Sequence, residues 1–264
     1  MILDDITAAV AKRLQEDKKQ VSLEAMKQRA LAAPPKENFP FEMALAKPGL
    51  SFICEVKRAS PSKGLIAPQF PYTAIAKDYE AAGAAAISVL TERDYFQGSA
   101  VYLQEIAAAV QTPALRKDFI IDPYQIYEAR AIGASAILLI CAILDDERLA
   151  AFLALAHELG LSVLAEAHDE EEVRRAVAAG ARIIGVNNRN LKDFTVSLDT
   201  SRRLRPLVPK DRIFVAESGI QTAADTAQLR QFGVDAVLIG ETLMRSHDKK
   251  GMLQELAGHT HDKS

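Results

Sequence analysis

The chain of 264 residues is 49% hydrophobic and 25% charged, with a formal net charge of -3, two cysteines and no tryptophan. That is long enough for one large α/β domain or two small ones with a sizeable core. Lys and Arg are scattered rather than stacked in runs, which excludes a nucleic-acid footprint, and no run approaches the roughly 20 apolar residues of a membrane span.

The N-terminal stretch MILDDITAAVAKRLQEDKK lacks both a basic leader and an uninterrupted apolar segment, so a cytoplasmic enzyme is expected. Leu3, Ile6, Val10 and Leu14 recur at helical spacing. A second helix starts at Ser22, an N-cap residue type, and stops at Pro34 and Pro35. Residues 1–50 thus read as a helical N-terminal extension, either a dimer arm or a cover over one end of the domain.

From residue 51 the pattern changes to short apolar runs, each followed by an Ala-rich helical segment. The predicted strands are Ser51 to Lys57, Ala85 to Leu90, Ala114 to Asp118, Ala136 to Cys141, Ser162 to Glu166, Arg182 to Val186, Arg212 to Ala216 and Ala236 to Ile239. Helices follow each of them, several closing at Gly83, Gly133, Gly160, Gly180 or Gly233, the residue type that accepts a left-handed C′ position. Strands alternating with helices call for parallel pairing through right-handed crossovers. Eight such units predict an α/β fold, a (β/α)8 TIM barrel over residues 51–258, with 259–264 as a flexible tail. An open doubly wound sheet is the rival, but no G-x-G-x-x-G follows the first strand. Cys54 and Cys141 fall inside apolar runs without ligand spacing and read as small core residues.

Active sites of such barrels lie at the C-terminal strand ends. Strand alternation in SFICEVKRASPSKG puts Glu55 and Lys57 on the face opposite Cys54 and Val56, with Ser60 just beyond. The third strand ends in Lys117 and Asp118, the fifth in Glu166, the sixth in Asn187, Asn188 and Arg189, the seventh in Glu217 and Ser218, and the eighth in Gly240 and Glu241. Any one of these could cap a helix, but lysines and glutamates converging at one mouth are costly unless paired or used. AESGI at 216–220 and LIGETL at 238–243 supply a second signal: Gly219 and Gly240 let backbone N–H groups approach an anion, at the loops where phosphate sites sit in this fold.

Other candidates read as structural. His168 opens a helix and is taken as a rim or structural residue rather than a base. His259 and His261 form an H-x-H in the tail without nearby partners. Ser60 and Ser62 have no adjacent base. Tyr95 and Phe96 either stack on a ring or join the core.

These residues resemble a known family, indole-3-glycerol phosphate synthase of tryptophan biosynthesis. The resemblance rests on the helical extension, EVKRASPSKG at 55–64, VLTERDYFQGS at 89–99, LRKDFIID at 115–122, AEAHDE at 165–170, IGVNNRNL at 184–191, AESGI and LIGETLM. It implies a lyase that closes the ring of 1-(2-carboxyphenylamino)-1-deoxyribulose 5-phosphate, losing carbon dioxide and water. It implies Lys117 as general acid and Glu166 as base. Lys57, held by Glu55, positions substrate or shares the acid role, and the sequence does not divide the labour between the lysines. Ser60, Asn187, Arg189, Glu217 and Ser218 bind substrate; Gly219, Gly240 and Glu241 hold its phosphate. No metal or organic cofactor is expected. The expected partner is a small phosphorylated molecule, not nucleic acid or membrane, and the chain is expected to be a monomer or weak homo-oligomer. A phosphosugar isomerase, a Schiff-base aldolase and a non-catalytic phosphoribosyl-ligand sensor are the rivals that fold alone leaves open.

Overall fold

An apolar run becomes a parallel strand when both its faces are covered, one by the barrel interior and one by the surrounding helices. The computed structural model describes residues 2–190 and 193–258. Three helices come first: α1 (Ile2–Gln20), α2 (Leu23–Ala32) and α3 (Pro40–Leu45). They lead into β1 (Ser51–Val56), a two-residue hairpin of β2 (Ala59–Ser60) and β3 (Gly64–Leu65), then α4 (Tyr72–Ala81), β4 (Ala86–Leu90), α5 (Ala100–Ala109), β5 (Ala114–Lys117) and α6 (Pro123–Ala131). Next come β6 (Ala136–Ile140), α7 (Asp146–Glu158), β7 (Ser162–Ala167), α8 (Glu170–Ala178), β8 (Ile183–Asn187) and α9 (Asp199–Leu204). The described chain ends with β9 (Ile213–Glu217), α10 (Ala223–Gln231), β10 (Ala236–Ile239), α11 (Glu241–Arg245) and α12 (Lys249–Ala257).

Eight strands close into one parallel ring in the order β1, β10, β9, β8, β7, β6, β5, β4. This is the TIM barrel expected from the repeat, with every predicted strand present to within a residue or so at its ends. Alternation sorts the side chains. Cys54, Val56, Ile87, Val89, Ile137 and Leu139 face the helices, while Ile53, Leu115, Leu138, Leu164, Val215 and Leu238 fill the interior. Both cysteines are free and buried, and burial pushes the Cys141 thiol up to about 12.

The helices before β1 belong to the same interior. Ser22 caps α2, accepting the Ala25 amide at 3.2 Å. Phe41 and Leu45 of α3 join the inner cluster, and Ser51 Oγ donates to the Leu45 carbonyl at the start of β1. The short α3 thus closes the N-terminal end of the barrel. Helix α1 buries Ile6, Val10 and Leu14 in the same cluster. It is tied to the opposite, C-terminal end by Arg13 to Glu92 (2.9 Å) and Lys18 to Asp122 (2.7 Å). Among the described residues no helix is long and apolar enough to cross a membrane. The tail carrying His259 and His261 lies outside the described residues.

Candidate active site

Register places the charges. Glu55 is paired with Ser88, Leu90 with Lys117, Ile140 with Glu166, and Asn187 with Glu217 across neighbouring parallel strands. Each charge therefore occupies the last inward-facing position of its strand, above an apolar interior. A cavity of about 540 Å³ opens there, bordered by the strand-end candidates from Glu55 to Glu241 with the exception of Asn188.

Two ion-paired groups share this mouth. Lys57 Nζ lies 2.5 Å from Glu55 Oε1. Lys117 Nζ lies 3.0 Å from Glu166 Oε2 and 3.4 Å from Glu217 Oε2. Glu166 is 3% and Glu217 2% exposed, so neither carboxyl can rely on water for its charge. Burial alone would raise Glu166, but Lys117 and His168 outweigh it and hold its carboxyl well below the usual range. Glu217 goes the other way: burial and the neighbouring Glu166 carboxylate push it up to about 8 against the pull of Lys117. Burial would lower Lys117, yet Glu166, Glu217 and Glu55 keep it firmly protonated. At neutral pH the centre is a carboxylate, an ammonium and a neutral carboxylic acid. Oε1 of Glu217 has no hydrogen-bond partner among the described residues.

Two glycines make the room. A β-carbon at Gly185 would overlap Glu217 Oε1, and one at Gly240 would overlap Glu55 Oε1 and stand 2.8 Å from Lys57 Nζ. Gly219, at φ +82°, follows Ser218, which is itself left-handed at φ +67°. The loop turns sharply there, and the Thr242 hydroxyl ties it to the β10 loop by donating to the Ile220 carbonyl at 2.8 Å. Ser60 sits in the buried half of the β2–β3 hairpin, opposite Gly64.

The sixth barrel strand contributes a brace and a pair of polar groups. Asn187 Nδ2 lies 3.4 Å from Glu166 Oε1, and its Oδ1 accepts the Arg189 amide. Arg189 Nη1 reaches the Phe194 carbonyl at 3.4 Å. Asn188 is turned away from the reacting groups: it donates to the Ser218 carbonyl and accepts from the Ser201 amide and hydroxyl. It braces the Ser218 loop. Asp118, grouped with Lys117 from sequence, is also structural. Its carboxylate is occupied by buried Arg116 (3.0 Å) and Thr91 (2.6 Å). Glu241 pairs with Arg245 at 3.1 Å and Lys63 at 3.6 Å.

The apolar half of the cavity was not legible as a site. Ile2, Leu3 and Ile6 of α1 line it together with Phe96, Phe119 and Ile140. Phe96 and Phe119 stack at 6.0 Å between ring centres, so of the two aromatics in TERDYFQGS it is Phe96 that lines the mouth. Among the described residues no group of three or more His, Cys, Asp or Glu is arranged to hold a metal ion.

Fold and mouth together define a TIM-barrel protein with a buried acid–base centre between an apolar wall and a glycine-lined loop pair. The model of the family described as indole-3-glycerol phosphate synthase matches residues 3–256. Indole-3-glycerol phosphate synthase of Ruminiclostridium cellulolyticum is 57% identical over 258 residues, 98% of this chain and 99% of that protein. The enzyme of Leuconostoc mesenteroides is 54% identical over 260 residues, with the same coverage. The chain belongs to the indole-3-glycerol phosphate synthase family. Solved structures of low identity share the barrel alone. A mutant tryptophan synthase alpha-subunit from Pyrococcus furiosus superposes with a TM-score of 0.60 at 14% identity, covering 79% of this chain and 98% of that one.

Proposed function

We infer that this chain closes the ring of 1-(2-carboxyphenylamino)-1-deoxyribulose 5-phosphate to indole-3-glycerol phosphate, a decarboxylating and dehydrating lyase reaction of tryptophan biosynthesis. The observation that carries this reading is Lys117 held between Glu166 and Glu217, with aromatic and aliphatic side chains on one side of the cavity and the Ser218–Gly219 and Gly240 loops on the other. An aryl group and a phosphate need those two ends.

Attack of the ring carbon on the ribulose carbonyl develops negative charge on oxygen. A buried ammonium aimed at that oxygen stabilises it and can transfer a proton, which is the role of Lys117. Carbon dioxide then leaves, and the electron pair of the broken carbon–carbon bond stays with the ring and restores its aromaticity. Water is expelled with a second proton, while a base removes hydrogen from the adjacent carbon. Glu166 is that base, and its 3.0 Å contact with Lys117 gives the abstracted proton a direct way back to the acid. Glu217, neutral at working pH, donates a hydrogen bond to substrate oxygen. Lys57, fixed by Glu55, and Arg189, oriented through Asn187, receive the carboxylate and sugar hydroxyls. Ser60, Ser218 and the backbone amides at Gly219 and Gly240 seat the phosphate. The carboxylate of Glu241 leans on Lys63 and Arg245, which leaves its backbone for the anion.

A Schiff-base aldolase would need a lysine whose ammonium is easily discharged, and the three glutamates act on Lys117 in the opposite sense. On this reading residues 1–50 complete the catalytic unit, since Ile2, Leu3 and Ile6 wall the aryl end. We place the enzyme in the cytoplasm, as a monomer or weak homo-oligomer. The test is direct: purified protein, with no added metal, should convert the carboxyphenylamino substrate to a fluorescent indole. A folded protein that binds the substrate without turnover would refute the reading, as would a borohydride-trapped adduct on Lys57 or Lys117.

A further inference from the structure

The Glu166 carboxylate has a third neighbour. His168 sits two residues further on, just past the end of β7, with its side chain 16% exposed. Its Nε2 lies 3.2 Å from Glu166 Oε1, an ion-pair contact that lacks hydrogen-bond alignment. Its Nδ1 lies 2.9 Å from Glu172 Oε2. A carboxylate only accepts, so Nδ1 carries its hydrogen, and the negative charge of Glu166 beside Nε2 favours a second one there, which makes the ring a cation.

Glu172 is itself fixed. Its amide donates to the Asp169 carboxylate, the N-cap of α8, at 2.9 Å, and its own carboxylate accepts the His168 backbone N–H at 2.8 Å. The acceptor that faces Nδ1 is therefore held in place at the start of α8. The groups around His168 are Glu166 on β7 and Glu172 on α8; behind them stand Lys117, Asn187 and Glu217 on the Glu166 side and Arg175 and Cys141 on the Glu172 side.

We propose that His168 is a positioning residue for the proposed base: as an imidazolium locked by Glu172, it holds Glu166 anionic and leaves Oε2 turned toward Lys117. The proposal rests on the assignment of Glu166 above. Lys117 is shared, standing 3.4 Å from Glu217 Oε2 as well as 3.0 Å from Glu166 Oε2, whereas the His168 ring gives the other oxygen of Glu166 a cation of its own, which opposes protonation of the base. The two carboxylates lower the acidity of the imidazole, raising it to about 10 despite burial, so this cation persists through the neutral range.

The experiment is the pH dependence of kcat and KM for wild type, His168→Gln and Glu172→Gln, with Glu166→Gln as reference. Loss of one charge-assisted contact corresponds to about a 10- to 100-fold fall in kcat at pH 7 for His168→Gln, with KM little changed. Because Glu166 then gains its proton at higher pH, the acid limb of the profile should move up, and activity should recover as the pH is raised. A merely structural defect would lower activity at every pH. Glu172→Gln keeps an acceptor for Nδ1 but removes its charge, so it should shift the limb in the same direction by less, and it decides the matter should His168→Gln fail to fold. Wild type without turnover would count against the function itself. Wild-type turnover, an inactive Glu166→Gln and unshifted limbs in folded His168→Gln and Glu172→Gln would overturn this proposal alone.

Discussion

Gly240 faces Glu55 across the seam of the barrel, and the missing side chain of the one is the space occupied by the carboxylate of the other. Strand β10 ends just before this glycine, and its partner β1 carries Glu55 one residue past the paired Cys54 and Ile239. Gly240 thus has two uses: its backbone borders the proposed phosphate seat, and its bare α-carbon lets the Glu55–Lys57 ion pair lie flat against the wall.

Gly240→Ala should therefore damage chemistry as well as binding. Displacing Lys57 by about an ångström corresponds to a loss of roughly 100-fold in kcat/KM, with an overpacking cost of about 1–3 kcal/mol in stability. Gly219→Ala, at a left-handed backbone position pressed against Val196, should raise KM more than it lowers kcat. Steady-state kinetics beside denaturant unfolding of both variants checks this; equal kcat effects would contradict it.

Lys117→Ala and Glu166→Gln should each lose about 100-fold or more in kcat, the usual scale for one acid or base. Because the proposed acid and base lie 3.0 Å apart and would act as a unit, the double variant should be little worse than the weaker single one. Multiplicative losses would mean that they act in separate steps.

Glu217 carries its own pH signature. Its carboxyl is raised from 4.5 to about 8 in the folded chain, so between those values the native state binds more protons than the unfolded state and stability falls as pH rises. Glu217→Gln removes the titration while keeping the shape. Its stability relative to wild type should improve from pH 5 to pH 8.5 in urea titrations. Parallel curves would show that Glu217 is not held neutral.

His157 predicts the opposite slope on the acid side. The ring stands edge-on to Phe39 at 5.7 Å, and burial with nearby Arg182 lowers it from 6.5 to about 4. The native state binds fewer protons in that window, so stability should rise with pH from about 4 to 6.5. His157→Gln should flatten this part of the profile in thermal unfolding scans at fixed ionic strength.

The strands were legible because a strand covered on both faces has to be apolar throughout, as in Ala136–Ile140, and the polar residue that ends it then stands out. A helix start was legible where a capping residue type precedes the apolar pattern, as at Ser22. Pieces too short for periodicity were not: α3 is six residues, and the β2–β3 hairpin read only as a Pro/Gly turn. At the site, alternation identified Glu55 and Lys57, and position at a strand end identified Lys117, Glu166 and Glu217. Neither could show that α1 lies over the mouth, because an amphipathic helix reveals which face is buried but not against what. The same limit hid the difference between Asn187 and Asn188, adjacent residues on opposite faces of one strand end, and the ion-pair contact between His168 and Glu166, which depends on how α8 leaves the sheet.

The ring closes where β1 meets β10, so one wall of the mouth is made from the first and the last barrel strands to leave the ribosome. Until β10 arrives, β1 has an open edge and Glu55 and Lys57 face no glycine, whatever the rest of the sheet has built. This wall of the proposed site is therefore the part of the sheet with the longest loop to close, and it forms only when the two ends of the strand series meet.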